Sequence, residues 1–123
     1  MSHYVEAYLD IETTGLSPWQ DKITVIGIHI CDGTDTKFIQ LIGDKITSDN
    51  ILEALKDTNI IHTYNGSRFD LPFINYQLGI NLASLFEHHD LMYDCWRCNL
   101  YGGFKEVERQ LGIRRKLTEI KWL

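Results

Sequence analysis

Residues Tyr4 to Ile11 mix apolar and β-prone side chains and stop at Thr13-Thr14-Gly15, which predicts a strand followed by a turn. The Ile- and Val-rich run from Ile23 to Ile30 predicts a central strand buried on both faces. Cys31-Asp32-Gly33 then marks a turn whose Asp-Gly step is a strong hairpin signal, with Thr36 to Ile42 as the returning strand. Three strands joined by short turns make an antiparallel meander. Past that point the period changes. Ser48-Asp49-Asn50 can cap a helix on which Ile51, Leu52 and Leu55 share a face, with Ala54 small enough to pack. Asn59 to Tyr64 predicts a fourth strand, and Leu71 to Leu78 a second helix closed by Gly79. Pro72 fits only in a helix's first turn, which puts Asp70 at or beside the N-cap.

A short fifth strand is expected near Leu85 to His89, ended by His88 and His89. Asp90 then caps a helix through about Asn99, and Gly103-Phe104 opens another that ends at Gly112. The order βββαβαβα, a meander first and helix-linked strands after it, is an α/β layout on a single sheet. No internal repeat, low-complexity segment or linker interrupts it.

With 123 residues, the chain has room for one domain and one core. Its 44% hydrophobic and 24% charged residues are ordinary for a folded protein and argue against disorder. The apolar stretch at Ile23–Ile30 is too short to cross a bilayer, and Met1-Ser2-His3-Tyr4 lacks the basic start and apolar run of a secretory signal, so a cytoplasmic protein is expected. The net charge of −5 argues against a protein that coats nucleic acid by charge alone. It leaves room for a nuclease, since bound divalent metals bring positive charge to the phosphate. Basic residues crowd the tail at Lys105, Arg109, Arg114, Arg115, Lys116 and Lys121, against Glu106, Glu108 and Glu119. A solvated surface is the plain reading of that cluster and a phosphate-backbone contact the functional one.

The chemistry lies in the carboxylates. Asp10 and Glu12 stand two apart on the first strand and so project from the same side, with Ile11 on the other. Two carboxylates that close repel unless a cation lies between them, and a hard ion such as Mg²⁺ or Mn²⁺ suits oxygen ligands. Alone, such a pair is usually surface charge. Asn65-Gly66-Ser67-Arg68-Phe69-Asp70 changes the balance, because it follows the fourth strand and delivers a third carboxylate at a helix entrance. If that strand lies beside the first, Asp70 comes near Asp10 and Glu12. A plain helix cap is the competing role for Asp70, and the two are compatible.

Asp10-Ile11-Glu12-Thr13-Thr14-Gly15-Leu16 resembles the first motif of the DnaQ-like (DEDD) 3′–5′ exonucleases, and Tyr64-Asn65-Gly66-Ser67-Arg68-Phe69-Asp70-Leu71-Pro72-Phe73-Ile74 resembles their second. The second is similar above all to the proofreading domains of family B polymerases and to the YprB-type branch. The motifs come in the right order, and the resemblance spans roughly residues 4 to 112. It implies a ribonuclease H-like fold and two-metal hydrolysis of phosphodiester bonds at single-stranded 3′ ends of DNA or RNA. In that chemistry one ion activates a water and the other stabilises the leaving 3′ oxygen. Asp10 would bridge both ions, Glu12 would hold the nucleophile-side ion and Asp70 the second. Groups around Thr13 and Thr14 would meet the terminal nucleotide, Leu16 would pack against its base, and Asn65 and Phe69 would shape the pocket. Ordinary packing is the alternative for Leu16 and Phe69.

The family also needs a fourth carboxylate on a late helix, with a Tyr or His a few residues before it as general base. His89 and Asp94 have a matching spacing but follow Asp70 too closely; Asp90 and Asp94 read better as helix capping and surface residues. Nothing after Gly112 supplies the pair, and Lys121-Trp122-Leu123 looks like an element cut short. The expectation is therefore a single exonuclease-like domain over residues 1–123 without its last catalytic helix, as a truncated form, a fragment or a degenerate relative. A non-catalytic module holding nucleic acid or a partner protein in the same groove is the rival reading.

Cys95-Trp96-Arg97-Cys98 has zinc- or redox-like spacing, but with Cys31, His88 and His89 as its only possible co-ligands and a place inside a helix it reads as incidental. Trp19, Trp96 and Trp122 could stack on bases, although a lone Trp is usually packing.

Overall fold

The computed structural model describes residues 4–93 together with Glu106 and Arg109. Strands β1 (Val5–Thr13), β2 (Ile23–Asp32), β3 (Asp35–Ile42), β4 (Ile60–Thr63) and β5 (Glu87–Asp90) form one sheet in the order β3-β2-β1-β4-β5. β1 to β3 are the expected antiparallel meander, whereas β4 runs parallel to β1 and β5 parallel to β4. Helix α1 (Ser48–Leu55) carries the chain from β3 to β4, and α2 (Asp70–Leu78) and a one-turn α3 (Leu82–Leu85) carry it from β4 to β5. No helix among the described residues is long and apolar enough to cross a membrane.

Strict alternation in β1 organises the core. Val5, Ala7, Leu9 and Ile11 are buried, while Glu6, Tyr8, Asp10 and Glu12 between them stay partly exposed. The buried set continues across the sheet through Ile26, Ile28 and Ile61, and Ile51 and Leu55 of α1 and Leu71, Phe73 and Ile74 of α2 pack onto it in one cluster. The described helices therefore cover a single face. That corrects the expectation for Ile23–Ile30. β2 is not the central strand, and Ile26 and Ile28 are buried while Val25, Gly27 and His29 are only half-buried. β1 holds the centre, and it is β4 whose last three residues, Ile61, His62 and Thr63, are buried in succession.

Local chemistry sets the element ends. Asp32 pairs with Asp35 across the hairpin, leaving Gly33 as its first central residue at φ 63, the sign a type II′ turn requires and glycine tolerates. The cap of α1 is Thr47 rather than the Ser48 group, its side chain accepting from the N–H of Asn50 at 3.1 Å. Gly79 closes α2 in the left-handed region, as expected. Asp70 is the first residue of α2, not its cap; Phe69 holds that position and supplies no side-chain bond. α3 was not foreseen, because one turn with only Leu82 buried has no period to read.

Candidate functional site

β4 pairs with β1 only from Glu6–Ile60 to Tyr8–His62, so β1 runs on beyond its parallel neighbour. On that edge, away from β2, its backbone has to find partners other than a strand. Ile11 N–H donates to Asp10 Oδ1 at 3.0 Å and to Asp70 Oδ2 at 3.2 Å. A single amide thus gathers two carboxylates that lie far apart in sequence. Asp70 is 3% exposed. Burial, and then the negative charge of Asp10, push its carboxyl well above the usual carboxylate range; the N–H groups of Ile11 and of Asp70 itself oppose this, and Asp90 adds a further upward push. Such a pair is poorly stable as two bare anions. Oxygen donors in that condition fit a hard divalent cation, which removes the repulsion. Glu12 follows on the same side of β1 as Asp10 and is partly exposed. Among the described residues no group of three or more His, Cys, Asp or Glu side chains is drawn together tightly enough to hold a metal; Ile11 N–H joins Asp10 and Asp70, and Glu12 is not gathered with them into one cluster.

Asn65 begins the loop that delivers Asp70 and adopts φ 60, a left-handed conformation that asparagine accepts better than most residues. Its N–H donates to Asp90 Oδ1 at 2.8 Å, and Ser67 donates to Asp90 Oδ2 through its N–H at 3.1 Å and its hydroxyl at 2.7 Å. Gly66 lies against Thr63, where an added Cβ would sit 2.1 Å from the hydroxyl oxygen. The Thr63 oxygen accepts from Gly66 N–H at 3.1 Å and lies 2.7 Å from His88 Nε2. Burial lowers the His88 pKa, so the neutral ring is favoured. Asp90 also accepts from Met92 N–H at 3.1 Å, which is the capping role the sequence predicts for it. Its grip on residues 65 and 67 was missed, since it depends on the register that sets Thr63 opposite Asp90. Phe69 stacks edge-on against Phe73 with centroids 5.4 Å apart and packs on the core.

On the other side of Asp10 the β1–β2 loop is tied down from within. Thr13 donates its hydroxyl to Gly15 O at 2.6 Å, Thr14 N–H donates to Lys22 O at 2.9 Å, and Ser17 N–H donates to Asp21 Oδ2 at 3.0 Å. Gly15 has room for no side chain, because a Cβ would lie 2.4 Å from that same carboxylate. Gln77 of α2 donates to the carbonyls of Pro18 and Asp21 and accepts from Ile23 N–H, fastening the loop to the helix. The loop turns its polar groups inward and holds Leu16 84% exposed, with Trp19 and Tyr76 in edge contact beside it, both exposed. Core packing is therefore excluded for Leu16 and Trp19.

The partly exposed face of β1 carries a further polar group that the sequence did not suggest. His62 stacks on Tyr8 with centroids 4.7 Å apart, lies 2.7 Å from Glu6 Oε1 through Nε2, and lies 3.2 Å from His89 Nδ1 through Nδ1. His89 is thus in β5 beside His62, while Asp94, its spacing partner, lies outside the described residues, as do Cys95, Cys98, Trp96, Trp122 and the basic tail apart from Arg109, which pairs with Glu106. A surface cleft bordered by Val5, Asp35, Lys37, Asn50 and Asp57 shares no residue with the carboxylate site.

A family model described as RNase_H superfamily matches residues 7–121. No curated protein matches the sequence. Among solved structures, the family B DNA polymerase of the hyperthermophilic archaeon Pyrobaculum calidifontis superposes with a TM-score of 0.67 at 14% identity, over 92% of this chain and 19% of that one. Brucella melitensis NrnC gives 0.59 at 25% identity, over 86% of this chain and 52% of its own. The zinc-bound E. coli ExoI–ssDNA complex gives 0.60 at 17% identity, over 92% and 36%. The chain therefore spans from about a fifth to about half of these proteins, with which it shares a ribonuclease H-like fold.

Proposed function

The chain belongs to the RNase_H superfamily, and on that premise we propose that it is a 3′–5′ exonuclease, acting on single-stranded DNA or RNA ends with Mg²⁺ or Mn²⁺. The observation that carries this reading is the shared hydrogen bond of Ile11 N–H to Asp10 and Asp70, which sets a buried, repelled carboxylate against a second one at the end of the central strand. The carboxyl ends of parallel strands are where open α/β sheets bind ligands. Asp10, Glu12 and Asp70 are the residues proposed to hold two ions. Ions held there would supply a nucleophile at neutral pH and neutralise charge on the departing oxygen. The chain's own part is positional. Asp10 is held by the N–H of Ile11, Asp70 by α2, and Thr13, ending β1, and Thr14, opening the loop, lie where the terminal nucleotide would be met. Leu16, already held in solvent, offers an apolar surface to its base, and Asn65 and Phe69 border the pocket from the other side. The similarity to an ExoI–ssDNA complex supports a nucleic-acid strand as the ligand.

The test is incubation with 3′-labelled single-stranded DNA and RNA in Mn²⁺, beside an Asp10→Ala/Glu12→Ala control. Loss of the terminal nucleotide with the wild type alone supports the enzyme. Retention of the strand without digestion would replace it with a nucleic-acid-binding module.

A further inference from the structure

Asp90 has no role in the reading above, yet its carboxylate takes four hydrogen bonds: from Asn65 N–H at 2.8 Å and Met92 N–H at 3.1 Å on one oxygen, and from Ser67 N–H at 3.1 Å and the Ser67 hydroxyl at 2.7 Å on the other. A helix cap needs only the bond to Met92. The other three go to the loop that leads into α2. We infer that Asp90 is a positioning residue for Asp70: from the end of β5 it fixes the backbone of residues 65–67 and thereby sets where α2 presents its first carboxylate to Asp10. The inference rests on the assignment of Asp10 and Asp70 to the metal site.

The connection is short and continuous. No side chain caps α2. Its first turn is wound instead on the loop, with Phe69 N–H donating to Asn65 O at 3.0 Å and Leu71 N–H donating to Gly66 O at 2.9 Å. Asp70 lies between those two donors, so a displacement of Asn65 or Gly66 reaches the backbone on both sides of it. Asn65 is held in a left-handed conformation by the same contacts. The Thr63 hydroxyl also accepts from Gly66 N–H at 3.1 Å, and the two lie so close that Gly66 could carry no Cβ there. The hold also has a load to bear. Asp10 repels the Asp70 carboxylate, and burial denies it water, so an unrestrained loop would relieve both by withdrawing. A site of this kind is effective only when its ligands are already in place, and groups that orient ligands count nearly as much as the ligands.

Asp90→Asn is the discriminating change, because it replaces one acceptor oxygen by an NH₂ group that faces donors. Four proteins are compared: the wild type, Asp90→Asn, Ser67→Ala, and Leu55→Ala as a control that destabilises the core on α1, remote from the loop. Three quantities are measured: amide hydrogen exchange at residues 65, 67 and 71, Mn²⁺ affinity by electron paramagnetic resonance, and kcat and KM on a single-stranded oligonucleotide. The expected result for Asp90→Asn is faster exchange at 65, 67 and 71, Mn²⁺ binding weaker by about ten- to a hundredfold, and kcat reduced by a similar factor with KM little changed. Ser67→Ala should move each quantity in the same direction by less. Leu55→Ala should lower the melting temperature and leave Mn²⁺ affinity unchanged. Wild-type Mn²⁺ affinity and kcat in an Asp90→Asn protein whose loop amides have lost protection would overturn the inference, and so would protection that survives the substitution. If the wild type binds no Mn²⁺ and Asp10→Ala changes nothing, the metal assignment fails on its own. The hold is then decided by exchange alone, faster exchange at 65, 67 and 71 supporting it and unchanged exchange overturning it.

Discussion

Asp70 and Asp90 are both buried carboxylates, 3% and 7% exposed, the first opening α2 after β4 and the second ending the parallel neighbour β5. Their surroundings treat the charge in opposite ways. Asp90 pays for its burial with hydrogen bonds from Ser67, Met92 and Asn65, and its carboxyl is held below the usual range despite desolvation, which acts the other way. Among the described residues Asp70 is offered the Ile11 N–H and its own, against burial and a facing Asp10, and its carboxyl is driven well above the usual range. Burial therefore does not decide whether a carboxylate is structural. The count of donors set against nearby anions does. One aspartate is finished by the fold, and the other is left short of positive charge, the condition a cation remedies.

The largest expected effect tests the unfinished one. Asp10→Ala or Asp70→Asn should lower hydrolysis of a 3′-labelled strand by about a thousandfold or more, the loss expected when a metal ligand goes. Metal-free Asp70→Asn should nevertheless melt higher than wild type, because the repulsion disappears while an amide oxygen can still accept from Ile11 N–H. A variant that is both inactive and less stable would break the contrast. Next in size, Gly66→Ala should cost about 1–3 kcal/mol in chemical denaturation, since its Cβ would overlap the buried Thr63 side chain. Ser67→Ala, which removes one hydroxyl bond to Asp90 at an exposed residue, should cost about 1 kcal/mol.

The smallest effect is a pH dependence and carries two signs. The folded protein binds the Asp70 proton more tightly than the unfolded chain does. The stability this contributes is complete below the unfolded value near 3.8 and is lost as pH rises through the raised folded value. The advantage of Asp70→Asn over wild type in EDTA should therefore grow with pH. Asp90 does the reverse: its contribution is present above 3.8 and is lost as pH falls through its lowered value. Thermal melts from pH 3 to 8 separate the two, and a stability difference that stays flat with pH would remove the distinction.

Much of this architecture could be read from the residues. Alternation in β1 placed Asp10 and Glu12 on one side, the Asp32-Gly33 step located the hairpin, and Gly79 closed α2 where expected. The approach of Asp70 to Asp10 follows from a strand, a short loop and a helix start laid beside β1, all local signals. What escaped depends on partners distant in sequence. Asp90 reads as an ordinary cap until β5 is in register with β4, when the same carboxylate also reaches Asn65 and Ser67. Pro72 makes it legible that Asp70 sits at or beside the N-cap, whereas the bond its side chain takes from Ile11 N–H is not legible, since it depends on β1 outrunning β4. His62 carries no sequence signal of its own, since its stacking on Tyr8 and its contact with Glu6 come only from the β1–β4 pairing.

Gln77 has a mechanical consequence. By fastening the carbonyls of Pro18 and Asp21 to α2, it ties the loop bearing Leu16 to the helix bearing Asp70. In the proposed exonuclease, a strand end seated against Leu16 would have its scissile bond measured off from Asp70 as a caliper measures.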